Sequence, residues 1–102
     1  MSILSAYKGQ IDKVCAKHKV KSLYAFGSVI SSDFNSDSDI DLIVDFTTID
    51  VEKYAYNYFD LKFSLQEILN RPIDLLEAQA IKNPYFKQAV NASKELVYGS
   101  WN

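Results

Sequence analysis

The apolar run from Val20 to Phe26 ends in Gly27-Ser28, and after a polar stretch a second run carries two aspartates in Ser38-Asp39-Ile40-Asp41-Leu42-Ile43-Val44. No other feature constrains the fold as much. Both runs read as short strands, the first buried. Successive strand side chains point to opposite faces, so Asp39 and Asp41 share one face while Ile40, Leu42 and Val44 share the other. The apolar face must pack on a core. Two carboxylates side by side on a rigid strand repel each other, and a divalent cation relieves that repulsion. Phosphate chemistry is the first reading these residues suggest.

A chain of 102 residues makes one domain, spanning 1–102. At 48% hydrophobic and 24% charged residues it can build one modest core. Eleven basic and 13 acidic residues leave a net charge of −2, which argues against broad attraction to nucleic acid or an anionic membrane. The single Cys15 cannot form an intrachain disulfide, as suits a reducing compartment. Met1 to Lys17 is amphipathic with internal charges, unlike a signal peptide, and no apolar run is long enough to span a bilayer. A cytoplasmic location is expected.

Ile3, Leu4, Tyr7, Ile11, Val14 and Cys15 recur at helical spacing, which predicts a first helix over about residues 3–18. Val20 to Phe26 is the first strand, Val29 to Asp37 a Ser-, Asp- and Asn-rich loop, and Asp39 to Phe46 the second strand. Thr47 or Thr48 is expected to cap a long helix over about Val51 to Leu69. Pro72 suits the start of an edge strand through Glu77. Asn83-Pro84 is a cap followed by proline in the first turn of a last helix, expected to end near Gly99 with Tyr85, Phe86, Ala89, Val90, Leu96 and Val97 as its core stripe. The order is α-β-β-α-β-α, an α/β (α+β) fold with a small mixed sheet of three or more strands and helices packed on it.

The long helix has two apolar faces. Val51, Tyr54, Tyr58, Leu61, Leu65, Ile68 and Leu69 form the expected core stripe, while Tyr56, Phe59 and Phe63 lie nearly opposite. Either another part of the chain covers the second stripe or it docks a partner.

Asp74 alternates against Ile73 and Leu75, so it faces away from the side those residues pack on. If its strand neighbours the second, Asp74 joins Asp39 and Asp41, and three carboxylates can hold one or two Mg²⁺ ions. Gly27 permits close backbone approach to a phosphate, and Ser28 with nearby N–H groups can donate to its oxygens.

Gly27-Ser28 at a strand end, Asp39-Ile40-Asp41 on the next strand and a later Asp74, framed by Phe26 and Ser38, resemble the minimal members of the nucleotidyltransferase superfamily that includes polymerase beta. The resemblance covers essentially the whole chain. It implies a nucleotidyltransferase-like fold and Mg²⁺-dependent transfer of a nucleoside monophosphate, AMP from ATP, onto an acceptor hydroxyl. By the same resemblance, Asp39 and Asp41 bind the Mg²⁺ that carries the triphosphate, Asp74 completes the metal site and helps activate the acceptor, and Gly27 and Ser28 hold the triphosphate. Minimal members are similar to antitoxins paired with helical HEPN-domain toxins, some thought to be adenylylated on tyrosine. Such a toxin, or a second copy of this chain, is the occupant expected for the Tyr56, Phe59 and Phe63 stripe. Where minimal members commonly carry Ala-Arg-Gly, this chain has Ile30-Ser31-Ser32, so that loop lacks a basic residue to balance triphosphate charge. The alternatives are an antitoxin that binds nucleotide and neutralises its partner without catalysis, and a small-molecule, aminoglycoside-type transferase.

Blander readings lose. Asp37-x-Asp39-x-Asp41 opens like an EF-hand, but Leu42 stands where glycine is needed and Thr48 where glutamate is. There is neither a Walker-type loop nor a dinucleotide fingerprint. His18 suits the C-terminus of the first helix as a partly exposed residue, and Asp45 suits a solvated strand end.

Overall fold

The computed structural model describes residues 3–30 and 38–99. The apolar rhythm before Lys17 forms two helices, α1 (Ile3–Ala6) and α2 (Lys8–Lys17), separated at Tyr7 where one continuous helix was expected. β1 (Val20–Phe26) follows, then a single 3₁₀ turn over Gly27–Ile30. Val29 and Ile30 therefore belong to this turn, and Val29 is buried. The remainder of the expected loop, residues 31–37, lies outside the described residues.

β2 spans Ile40–Phe46, with Asp39 just ahead of it. α3 covers Val51–Leu69. Neither threonine caps it: Asp50 occupies the cap position without a side-chain bond, while Thr47 bonds the Lys19 carbonyl through both N–H (2.9 Å) and hydroxyl (3.1 Å). Thr47 thus extends the β1–β2 pairing, which takes it away from the helix end. Asn70, left-handed at φ 53, ends α3.

β3 is Ile73–Glu77 and α4 is Pro84–Ser93. Asn83 caps α4 as expected, its Oδ1 accepting from the N–H groups of Tyr85 and Phe86 at 2.9 and 3.1 Å. The helix stops at Ser93 rather than near Gly99, because Glu95–Gly99 forms β4 along β1. Leu96 and Val97 are consequently strand residues packing on opposite sides, Val97 itself buried, and of the expected helix stripe's residues that remain in α4 only Val90 is buried. Gly99 closes the strand at φ 88 where a Cβ would collide with the Lys21 carbonyl.

The sheet order is β3-β2-β1-β4, with β1 antiparallel to both neighbours and β2 parallel to β3. β3 is an edge strand, as Pro72 suggests. One face carries Leu23, Ala25, Ile40, Leu42, Val44 and Leu75 and packs on Ile11 and Cys15 of α2 and Leu61, Leu65 and Leu69 of α3. Val51 is 88% exposed and does not join that stripe. The other face is smaller: Tyr24 and Ile43 meet Val90 of α4, with Phe26, Leu76 and Leu96 around them.

His18 is buried, contrary to the expected half-exposed helix end. Its Nδ1 bonds the Val14 carbonyl (2.7 Å) and its Nε2 the Asp60 carboxylate (2.6 Å), and Asn57 donates to the His18 carbonyl (2.8 Å). These bonds tie the end of α2 to α3 and leave the ring no catalytic freedom. Among the described residues no helix is long and apolar enough to cross a membrane.

Candidate functional site

The site lies where β1 ends and where parallel β2 and β3 begin. Asp41 pairs with Phe26 across the antiparallel ladder and with Asp74 across the parallel one. Equal side-chain parity puts both carboxylates on the α4 face of the sheet, away from the main core. Asp39 is exposed immediately ahead of β2. Burial, then the charge of Asp74, then that of Asp39 raise the Asp41 carboxyl above the ordinary aspartate value. The three predicted aspartates are thus electrostatic neighbours.

Gly27 has φ 72, and a Cβ there would stand 2.7 Å from Asp41 Oδ2. The backbone turn therefore presses directly against the carboxylate, and Ser28 follows it inside the 3₁₀ turn. Of Ile30-Ser31-Ser32, Ile30 closes this turn, and Ser31 and Ser32 lie outside the described residues.

Two side chains that sequence reasoning did not single out hold the strands carrying these groups. Arg71 Nη1 donates to the Ser38 carbonyl at 3.0 Å, and the Ile40 N–H donates to the Pro72 carbonyl at 3.0 Å, pinning the entrances of β2 and β3 together. Tyr58 of α3 donates its hydroxyl to the Leu75 carbonyl beside Asp74. The position of Arg71 next to Pro72 was the available signal for the first; nothing in the helical pattern marked Tyr58 except its place on the core stripe.

The predicted docking residues are not drawn together with the carboxylates. Tyr56, Phe59 and Phe63 stand on α3, 76%, 49% and 58% exposed, and the Phe59 and Phe63 rings stack at 6.2 Å. No other described element covers them enough to bury any of the three.

Residues 9–101 match the family model for polymerase beta, nucleotidyltransferase. A Methanocaldococcus jannaschii protein bearing the provisional name protein adenylyltransferase is 39% identical over 83 residues, covering 80% of this chain and 79% of the relative. Protein adenylyltransferase MntA of Thermococcus cleftensis is 28% identical over 97 residues, covering 95% and 89%. Among solved structures, one provisionally described as a minimal nucleotidyltransferase superposes with a TM-score of 0.76 at 25% identity, covering 93% of this chain and 95% of that one. A chain from a complex of tri-AMPylated Shewanella oneidensis HEPN toxin with MNT antitoxin shares the fold at a TM-score of 0.64 and 21% identity, covering 95% and 73%. With its Gly-Ser turn, its paired strand aspartates and this near full-length match, the chain belongs to the polymerase beta nucleotidyltransferase family.

Proposed function

We propose that residues 1–102 form one minimal nucleotidyltransferase domain, a protein adenylyltransferase that moves AMP from ATP onto a hydroxyl of a HEPN-domain toxin and acts as its antitoxin. The observation that carries the reading is the β2–β3 register setting Asp41 opposite Asp74, with the Gly27 turn against Asp41. The name of the Thermococcus relative and the AMPylated toxin bound to the Shewanella antitoxin support the substrate and the partner.

The donor set suits a hard divalent cation such as Mg²⁺: oxygen ligands only, with burial first and then the charges of Asp74 and Asp39 raising the Asp41 carboxyl. Among the described residues no three His, Cys, Asp or Glu side chains are already gathered as a metal site. Phosphate oxygens and water would therefore supply much of the coordination. Asp39 and Asp41 would hold the ion carrying the triphosphate, with Asp74 completing the set. Bound there, the cation supplies charge neutralisation at the phosphates.

The Gly27 turn and the Ser28 hydroxyl donate to the oxygens of the terminal phosphates. The acceptor oxygen bonds to the α-phosphorus as the bond from that phosphorus to the bridging oxygen breaks, and pyrophosphate departs with the electron pair. The Asp74 carboxylate takes the proton of the acceptor hydroxyl. The exposed Tyr56, Phe59 and Phe63 stripe receives the helical toxin.

A second reading, neutralisation by binding alone, is favoured by one feature: no basic residue occurs in Gly27-Ser28-Val29-Ile30-Ser31-Ser32. Incubation with Mg²⁺, labelled ATP and the toxin separates the two. Label on the toxin that disappears in the Asp39→Ala, Asp41→Ala double variant carries the enzyme reading. No label, with neutralisation intact in that variant, leaves the binding module.

A further inference from the structure

Asp39 is the one predicted metal ligand that the sheet ladder does not hold. The β2–β3 pairing begins at Ile40 opposite Ile73, which fixes Asp41 against Asp74 and leaves Asp39 exposed just ahead of it. Two hydrogen bonds bracket it instead. Arg71 Nη1 donates to the Ser38 carbonyl at 3.0 Å on one side, and on the other the Ile40 N–H donates to the Pro72 carbonyl at 3.0 Å. Both bonds end on the same dipeptide, Arg71-Pro72, which leads into β3 and Asp74. That dipeptide is itself anchored. Asn70, left-handed at φ 53, turns the end of α3 straight into it, and the Ile73 N–H donates back to Gln66 Oε1 of α3 at 3.3 Å. Arg71 therefore reaches Ser38 from a fixed base.

The consequence falls on the spacing of the carboxylates. Main-chain pairing sets Asp41 against Asp74, whereas the place of Asp39 relative to Asp74 depends on a side-chain bond across the strand entrances. Mg²⁺ demands close to ideal octahedral geometry at about 2.0–2.1 Å, and Ca²⁺ tolerates irregular oxygen sets at about 2.3–2.6 Å. A carboxylate free to swing on the Ile40 end alone suits the larger ion; one held at both ends suits the smaller. We propose that Arg71 is a positioning residue for Asp39 and, through it, sets the site's preference for Mg²⁺ over Ca²⁺. Its guanidinium acts through the Ser38 carbonyl, not by touching nucleotide or acceptor. The planar fork is already shaped for such a bond, so little side-chain freedom is lost in making it. This assignment rests on the nucleotidyltransferase reading above and adds to it the residue that selects the cation.

Calorimetric titration of the full chain with ATP in Mg²⁺, in Ca²⁺ and in a chelator tests it on wild type, Arg71→Ala and Arg71→Lys. In Arg71→Ala, ATP affinity in Mg²⁺ should fall roughly tenfold or more, the usual cost of losing a group that orients a metal ligand. The loss in Ca²⁺ should be smaller, and affinity in the chelator should not change. Lysine offers a point donor in place of the fork, so Arg71→Lys should recover part of the Mg²⁺ affinity. Where Arg71→Ala fails to fold, a Mg²⁺-selective loss in Arg71→Lys carries the proposal, and no loss there overturns it. In an Asp39→Ala background, Arg71→Ala should cost nothing further, because the carboxylate it places is gone. An equal loss in the chelator puts Arg71 on the phosphates and overturns the positioning role. Equal losses in Mg²⁺ and Ca²⁺, full additivity with Asp39→Ala, or a lowered Tm with unchanged Mg²⁺ dependence do the same. Wild type that binds ATP no better in Mg²⁺ than in the chelator overturns the nucleotidyltransferase reading, and this inference with it.

Discussion

Asp41 and Asp74 stand directly opposite each other on neighbouring parallel strands, with the Gly27 turn packed against the first. Burial, Asp74 and Asp39, in that order, raise the Asp41 carboxyl, so the folded state holds its proton more tightly than the unfolded chain does. A raised carboxyl contributes stability that is present below the unfolded aspartate value and lost as pH rises through the folded one. At neutral pH the charge on Asp41 works against the fold. Asp41→Asn should therefore raise Tm while abolishing AMP transfer. Mg²⁺ should raise the Tm of wild type and do much less for the variant, and removing it with a chelator should reverse the gain. A melting curve of each protein with and without Mg²⁺ checks this; a lower Tm in Asp41→Asn would show the charge is already balanced without a cation.

Gly27→Ala meets two obstacles. A left-handed φ of 72 disfavours any side chain by about 1–2 kcal/mol, and the new methyl would stand 2.7 Å from Asp41 Oδ2. Relief requires the carboxylate to move, so the loss in transfer should exceed what the small fall in Tm explains. Single-turnover AMP transfer measured under conditions where the variant stays folded tests the point. Retention of wild-type transfer would show that the turn's close approach is dispensable.

Much of this site was legible because its elements carry local signals. Gly27-Ser28, the alternation of Asp39 and Asp41 against Ile40 and Leu42, and Asp74 against Ile73 and Leu75 each report a strand face without knowledge of its neighbours. Asn83-Pro84 likewise marks a helix start by itself. What failed was non-local. Leu96, Val97 and Tyr98 fit either a helix end or a strand, and only the unpaired edge of β1 decides for β4. His18 is buried because Asp60, 42 residues away, meets its ring. The tie from Arg71 to Ser38 depends on β2 and β3 being neighbours, which no single segment encodes.

The aromatic stripe on α3 is exposed, so charge can be placed there at little expense to the fold. Phe59→Asp with Phe63→Asp removes two stacked apolar rings that are 49% and 58% exposed and leaves Leu61 and Leu65 in the core untouched. The double variant should keep wild-type Tm within about 1 kcal/mol of stability and keep ATP binding, yet lose co-elution with the HEPN toxin. Undiminished complex formation on gel filtration would move the toxin's docking surface elsewhere.

Tyr58 ties α3 to the strand that carries Asp74, donating its hydroxyl to the Leu75 carbonyl. β3 is an edge strand, and such strands present carbonyls that no neighbouring strand satisfies. Tyr58→Phe keeps the ring and removes only the donor, at a cost of about 1 kcal/mol, a fall in Tm of roughly 4–8 °C in a domain of this size. The phenol also titrates abnormally: burial first, then Asp74 and Glu77, raise it above the ordinary tyrosine value. Its folded state thus holds the proton more tightly, and that contribution is present below the unfolded value of about 10 and lost as pH rises past it. Wild type should lose stability more steeply above that pH than Tyr58→Phe, so the two melting temperatures converge in alkali. Parallel melting curves from neutral to strongly alkaline pH test this, and a constant gap between them would mean the bond to Leu75 contributes nothing that the phenol's proton controls.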